Sequence, residues 1–400
     1  MEGKTRYISG NVAAALGAKL ARIQVAPIYP ITPATTVSEK ISDLIDSNEL
    51  QAKIIYVESE HSAMAACIGA AMTGVRAFTA TSSQGLLLMN EMIHWAAGAR
   101  LPIVMAVANR AICAPWALWA DHNDTMSVKD TGWIQLYCTN AQEVLDTILL
   151  AYRISEQTLI PVMVIYEGFL VSHTYEPVIV PSQKDADKFL PPLKPKFKLD
   201  PKNPISFGTI IMMPDYAAQL RYRQNNDMLT VFQKSEEAAQ EFESAFGRSS
   251  TAIVESHNTK TAQTILISMG TMADTAKEVE KNPDIGWIRI KMFRPFPSRQ
   301  IQKIILDRVW DDFSLKRIIV LDRNLSCGQG GHLWQEIRSA LYDVTWRCNP
   351  YCDKPKIFGY VAGLNGNDIT PATIEEIIKH SQLALNDERP ILWGKGGNIA

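Results

Sequence analysis

From residue 8 to about residue 175, short apolar runs alternate with longer amphipathic or small-residue stretches. The runs Ile23–Ile28, Lys53–Val57, Arg76–Ala80, Ile103–Ala108, Trp133–Tyr137 and Val162–Tyr166 are apolar nearly throughout. Strands of that kind are buried on both faces, as in a parallel sheet covered by helices. Between them, Val37, Ile41, Leu44 and Ile45 share one helical face, and so do Val144, Leu145, Ile148, Leu149 and Tyr152. The rhythm predicts an α/β chain built on a doubly wound parallel sheet. Function in such a sheet sits in the loops beyond the carboxyl ends of its strands.

The pattern breaks between Pro177 and Pro204, where seven prolines are interspersed with charges, predicting an extended strap over 177–205. Met228–Phe246 reads as a helix that closes a first domain, 1–250. A second α/β rhythm then predicts strands at Thr264–Ser268, Trp287–Lys291, Arg317–Leu321 and Lys356–Tyr360. Helices are expected near Thr271–Lys281, Ser298–Leu306, His332–Tyr342 and Pro371–His380, giving a second domain, 251–385. The tail 386–400 is polar and glycine-rich; with Leu392 and Trp393 embedded, it predicts an arm onto a partner.

Composition narrows the classes. Four hundred residues exceed one compact core, and 46% hydrophobic against 20% charged residues is a globular balance. Forty Lys and Arg against 42 Asp and Glu leave a net charge of −2. No basic surplus favours nucleic acid, and no like-charge run favours a membrane surface. The first residues lack a signal-peptide core and no apolar run approaches a span, which predicts a cytoplasmic protein. None of the six cysteines forms a CxxC, so no metal or cluster site is expected, and Cys348 and Cys352 read as free thiols.

Candidate chemistry gathers after the predicted strands: Tyr29–Pro33, Glu58–His61, Thr81–Gly85, Asn109–Arg110 and Glu167–Phe169. Glu60 follows a strand and opens a close-packed helix, so its carboxylate either shares a proton with a heteroaromatic nitrogen or only complements the helix dipole. Arg110 follows a buried strand, where a guanidinium suits capture of a carboxylate. Asp121–Asp124 resembles a metal cluster but reads better as a hydrogen-bonded loop lining the cleft. Gly328–Gly331 precedes a helix and could cradle an anion, yet it lacks dinucleotide spacing and is expected to be a structural turn. No Ser or Cys sits in a nucleophile elbow.

These motifs occur together in order. YPITP at Tyr29–Pro33, ESEHSA at Glu58–Ala63, TATSSQGLLLM at Thr79–Met89 and LPIVMAVANRA at Leu101–Ala111 are joined by DTGWIQLYC at Asp130–Cys138, GFLVSHTYEPV at Gly168–Val178 and FRPFP at Phe293–Pro297. The combination resembles the α subunit of a pyruvate:ferredoxin oxidoreductase or a close 2-oxoacid:ferredoxin oxidoreductase. The resemblance implies a thiamine diphosphate-binding, pyrimidine-type domain followed by a transketolase C-terminal-like α/β domain. It implies that Glu60 hydrogen-bonds the pyrimidine N1′, with Tyr29, Pro30, Ile31, Ser83 and Gln84 bordering the cofactor. Thr32 would contact the 2-oxoacid and Arg110 would anchor its carboxylate.

By the same resemblance a β subunit completes the thiamine diphosphate site. Mg2+ and iron–sulfur clusters belong to partner subunits, γ and a ferredoxin-like δ among them; ferredoxin accepts the electrons and coenzyme A the acyl group. The chain alone is expected to be inactive. Pyruvate is the first-choice substrate, with branched-chain, aryl or dicarboxylic 2-oxoacids as alternatives. Ala114–Trp119 is the segment expected to face the substrate side chain. The competing readings are a non-catalytic assembly subunit and a nucleotide-dependent dehydrogenase.

Overall fold

The computed structural model describes residues 3–112, 114–279, 281–309, 315–347, 355–384 and 389–399. The thiols expected at Cys348 and Cys352 lie outside them. The chain opens with β1 (Lys4–Ser9) and α1 (Gly10–Leu20), then β2 (Val25–Ile28), α2 (Thr35–Asp46), β3 (Lys53–Tyr56), α3 (Glu60–Met72) and β4 (Phe78–Thr81). Helices α4 (Ser83–Leu88) and α5 (Asn90–Gly98) lead to β5 (Val104–Asn109), and α6 (Asn123–Ser127) leads to β6 (Ile134–Tyr137). Then come α7 (Ala141–Thr158), β7 (Val162–Glu167), β8 (Tyr175–Val180), α8 (Gln183–Phe189) and the long α9 (Pro214–Phe246).

Strands β4, β5, β7 and β6 are mutually parallel neighbours in that order, and β2 and β3 form a second parallel pair. A parallel bridge between Val25 and Ala77 sets this pair beside β4. The order is therefore β3-β2-β4-β5-β7-β6, and the winding reverses between β2 and β4. A crevice opens at the carboxyl ends of strands at such a reversal. One face of the sheet buries Leu16, Ile41, Ile148 and Phe242 from α1, α2, α7 and α9. On the other face one continuous core joins Met64, Met105 and Ile165 to Ile267, Ile290 and Phe293 of the second half.

That half contains β9 (Val254–His257), β10 (Thr264–Ser268), α10 (Thr271–Lys277), β11 (Ile285–Ile290), β12 (Met292–Arg294), α11 (Ser298–Val309) and β13 (Arg317–Asp322). It ends with α12 (His332–Arg347), β14 (Lys356–Ala362), α13 (Pro371–Leu383), β15 (Ile391–Gly394) and β16 (Gly397–Asn398). The sheet order is β16-β15-β14-β13-β10-β11-β9, parallel from β11 to β15. Three expectations need correction. The strap is not extended throughout, because β8 pairs antiparallel with β1 and α8 follows; only the stretch from 190 to 213 is without regular structure. The described part of the tail packs onto this chain rather than reaching out as an arm onto a partner, since β15 extends the sheet beside β14 and buries Trp393. The boundary near 250 is not a clean cut, since β12 adds antiparallel to β6 in the first sheet.

The two halves are also joined by charge. Glu143, in the first turn of α7, meets Arg289 of β11 and Lys291, with Lys291 Nζ at 2.8 Å. Burial pushes the Glu143 carboxyl up, but the two cations outweigh it and hold it at about 2. Replacing Glu143 by Ala leaves buried Lys291 without an acidic partner among the described residues and Arg289 with only Glu255, and is expected to cost about 3–5 kcal/mol, measured as a shift in denaturant midpoint. Because its folded pKa is depressed, the wild-type contribution is complete above about pH 4.5 and is lost as pH falls toward 2.

Candidate active site

The predicted site residues collect at the carboxyl ends of β2, β3, β4 and β5, around the reversal. Glu60 is the first residue of α3 and is only 6% exposed. The capping bond is made by Ser59, whose Oγ accepts from Ser62 N. The Glu60 carboxylate is therefore not the cap, and it has no hydrogen-bond partner among the described residues. It lies against the backbone of Gly85, where any side chain would run into both Glu60 Oε1 and Thr81 Oγ1. Glycine there lets α4 approach the carboxylate. Among the described residues, Thr81 Oγ1 and Ser82 Oγ are buried without partners, and Thr81 Oγ1 lies with Glu60 against Gly85. Buried hydroxyls in proteins are nearly always satisfied, so an unpartnered hydroxyl beside this carboxylate marks room for a polar ligand.

Ser83 and Gln84 connect this carboxylate to the substrate side. Ser83 Oγ donates to Ala111 O at 2.7 Å, and Gln84 Nε2 to Ile112 O at 3.4 Å. Arg110, the residue before Ala111, turns its guanidinium toward the β2 loop. Its Nη1 donates to Thr32 O at 3.0 Å and its Nε to Ala117 O at 3.3 Å. Its Nη2 and the Thr32 hydroxyl take no partner among the described residues, leaving a donor fork and a hydroxyl on one rim. Tyr29 is half-buried, Pro30 and Thr32 are exposed, and Ile31 packs on the core edge. The loop is held from below by Asn11, whose Nδ2 donates to Pro33 O at 2.7 Å while its Oδ1 accepts from Tyr166. Thr32 and Arg110 thus meet directly, and Glu60 joins them through Gly85 and Ser83.

Beyond Arg110, Trp116, Ala117, Leu118, Trp119 and Phe169 wall a cavity of about 430 Å3. Trp119 and Phe169 meet at a tilt with ring centroids 5.1 Å apart, yet Trp116 is 69% and Trp119 56% exposed. A larger cavity, about 780 Å3, lies elsewhere, lined by residues such as Gly74, Leu101 and Leu159 that precede β4, β5 and β7. It is at the wrong end of the sheet for this chemistry.

The Asp121–Asp124 segment is hydrogen-bonded but not all loop, since α6 begins at Asn123, and no group of three His, Cys, Asp or Glu residues placed to hold a metal occurs among the described residues. Buried His122 pairs with Glu167 at 2.8 Å, and Glu167 also accepts from Thr271 N, so this end of the site is braced by α10. The Gly328–Gly331 turn offers no anion cradle. The amides of Leu333 and Trp334 in the first turn of α12 already donate to Asp322 at 2.9 and 3.0 Å. Asn11 is the site residue that no sequence motif signalled; Thr81, Ser82 and Asp124 fell within the segments Thr81–Gly85 and Asp121–Asp124 without roles of their own.

A doubly wound sheet with a buried carboxylate at its switch point defines an α/β chain with a ligand cleft at the carboxyl ends of its strands. Residues 16–240 match the family described as pyruvate flavodoxin/ferredoxin oxidoreductase, thiamine diphosphate-binding, and residues 262–374 match pyruvate:ferredoxin oxidoreductase core domain II. The chain belongs to the pyruvate:ferredoxin oxidoreductase family. It is 42% identical over 395 residues to the pyruvate synthase subunit PorA of Methanothermobacter thermautotrophicus, covering 97% of each chain. It is 43% identical over 378 residues to the ketoisovalerate oxidoreductase subunit VorA of Pyrococcus horikoshii, covering 93% of this chain and 92% of that one. A 2-oxoglutarate:ferredoxin oxidoreductase structure from Magnetococcus marinus shares the fold with TM-score 0.68 at 17% identity, over 94% of this chain and 65% of that chain. No helix among the described residues is long and apolar enough to cross a membrane.

Proposed function

We propose that this chain is the α subunit of a heteromeric 2-oxoacid:ferredoxin oxidoreductase acting first on pyruvate. The reaction converts 2-oxoacid and coenzyme A to acyl-CoA and carbon dioxide, passes two electrons singly to ferredoxin, and runs reversibly. The observation that carries the reading is Glu60, buried at the switch point beside the unpartnered Thr81 hydroxyl, with no hydrogen-bond partner of its own among the described residues. Thiamine diphosphate, when bound, supplies the carbon nucleophile and electron sink for decarboxylation. Glu60 would hold its pyrimidine ring and share a proton with the ring nitrogen, with Tyr29, Pro30, Ile31, Ser83 and Gln84 around it. Arg110 would orient the substrate carboxylate with its free nitrogen, and Thr32 would steady the keto group. A β subunit completes the site and carries magnesium and an iron–sulfur cluster; γ and ferredoxin-like δ subunits complete a cytoplasmic complex. Both curated relatives above are themselves named as subunits.

Anaerobic purification followed by viologen reduction with a panel of 2-oxoacids tests the reading. The expected result is reduction that needs both coenzyme A and a 2-oxoacid. Absence of an iron–sulfur partner, or of reduction with every 2-oxoacid, would sink it.

The apolar cavity beside Arg110 favours a second substrate reading, a branched-chain 2-oxoacid, since it is far larger than a methyl group. Its lining residues carry no cation, which disfavours a dicarboxylate. Replacing Trp119 by Ala is expected to raise the kcat/KM ratio of 2-oxoisovalerate to pyruvate by about tenfold, the worth of one or two methylene contacts. A ratio within twofold of wild type would remove Trp119 from the side-chain pocket.

A further inference from the structure

We infer that Asp124 is the positioning residue that holds the substrate-side Arg110 and the cofactor-side Ser83 in one fixed relation, an inference that rests on the function proposed above. Asp124 is fully buried in α6. Its Oδ2 accepts from Ser83 N and from Arg110 N, each at 3.0 Å. Its Oδ1 accepts from Asn109 Nδ2 and, at 2.8 Å, from Thr125 N. One carboxylate thus ties together the start of α4, the end of β5 and its own helix.

The chemistry of that arrangement is selective. Four N–H donors converge on it, and an ionised carboxylate, which only accepts and offers about four lone-pair positions, satisfies all of them. Asparagine has one oxygen and would set its NH2 group against two of the donors. Ser83 also stands at φ 50°, a left-handed conformation that a serine seldom adopts without restraint. The bond from its amide to Asp124 is part of that restraint. The Arg110 amide is bound by the same oxygen, so the root of the arginine and the loop beside Glu60 share one anchor.

Among the described residues, the charged and titratable groups around Asp124 include Asp121 and His122 before it, Glu167 on β7 with Arg323 against it, Arg110 at the end of β5, Tyr137 on β6 and Glu60 against α4. Burial, against the pull of the donated hydrogen bonds, raises the Asp124 carboxyl to about 6. Protonation below that pH places a hydroxyl among donors and loosens the anchor, whereas above it the carboxylate form holds.

The test uses the assembled complex with wild-type or Asp124→Asn chain. At neutral pH the variant is expected to raise KM for the 2-oxoacid on the order of tenfold to a hundredfold, about the worth of one hydrogen bond to a charged group. Wild-type KM should rise as pH falls below about 6, and the variant's KM should be flat over that range. Hydrogen exchange at the Ser83 and Arg110 amides should be faster by about tenfold or more in the variant, with β5 and β7 unchanged. KM within twofold of wild type, an unchanged KM profile, and unchanged exchange at those two amides would overturn the inference. Should the variant fail to assemble, Asn109→Ala removes a single donor. It is expected to raise KM by about threefold to tenfold, and no rise would count against Asp124. Lack of 2-oxoacid turnover by the wild-type complex would instead defeat the proposed function, and the exchange result would still decide the positioning role.

Discussion

Replacing Glu60 by Gln in the assembled complex is expected to lower kcat by about 10^2- to 10^4-fold, the usual worth of a positioned acid–base group. The substitution is nearly isosteric. It leaves the Ser59 cap on α3 untouched and keeps the fit against Gly85, so assembly should survive. What changes is the proton: a glutamine amide cannot share one with a ring nitrogen. The comparison therefore separates the catalytic reading from the assembly-subunit reading. A complex that assembles and turns over at the wild-type rate with Gln at position 60 would favour the assembly role.

The second large effect is expected at Arg110. Replacing it by Ala removes a charge-assisted fork and should raise KM for the 2-oxoacid on the order of 10^2-fold, while KM for coenzyme A stays within about twofold. Lysine is not a conservative substitute. It keeps the charge but cannot reach Thr32 O and Ala117 O from one rigid plane while offering a further donor to a carboxylate. Steady-state kinetics over a range of 2-oxoacid concentrations at saturating coenzyme A reads the effect. Equal rises in both KM values would mean that Arg110 supports the loop rather than the substrate.

The central strands were legible because burial on both faces leaves runs such as Val104–Asn109 and Val162–Glu167 with almost no polar position. What was missed lacked that signature. The ribbon of β1 and β8 is half exposed, with Tyr7 and Tyr175 on its surface. In α9 the sequence marks only the part from Met228, because its buried residues begin at Val231; the turns from Pro214 onward bury no residue. Strand β12 is three residues long, and its pairing with β6 is set by the packing of two sheets, which no local pattern encodes. Glu60 and Arg110 could be proposed from their places at strand ends, and the ordered motifs gave them roles. Asp124 could not be separated from its neighbours Asp121 and His122, because its meaning depends on Ser83, 41 positions away.

The first α/β half of this chain places one buried carboxylate, one guanidinium and, among the described residues, two unpartnered hydroxyls at the carboxyl ends of its strands, and the proposed function makes these half of a cofactor site. Titrating thiamine diphosphate with magnesium into the assembled complex and into this chain alone, by calorimetry, tests that claim most directly. The account expects tight binding by the complex, weakened by Glu60→Gln, and no tight binding by the isolated chain. Equally tight binding by the isolated chain, indifferent to Glu60, would contradict it.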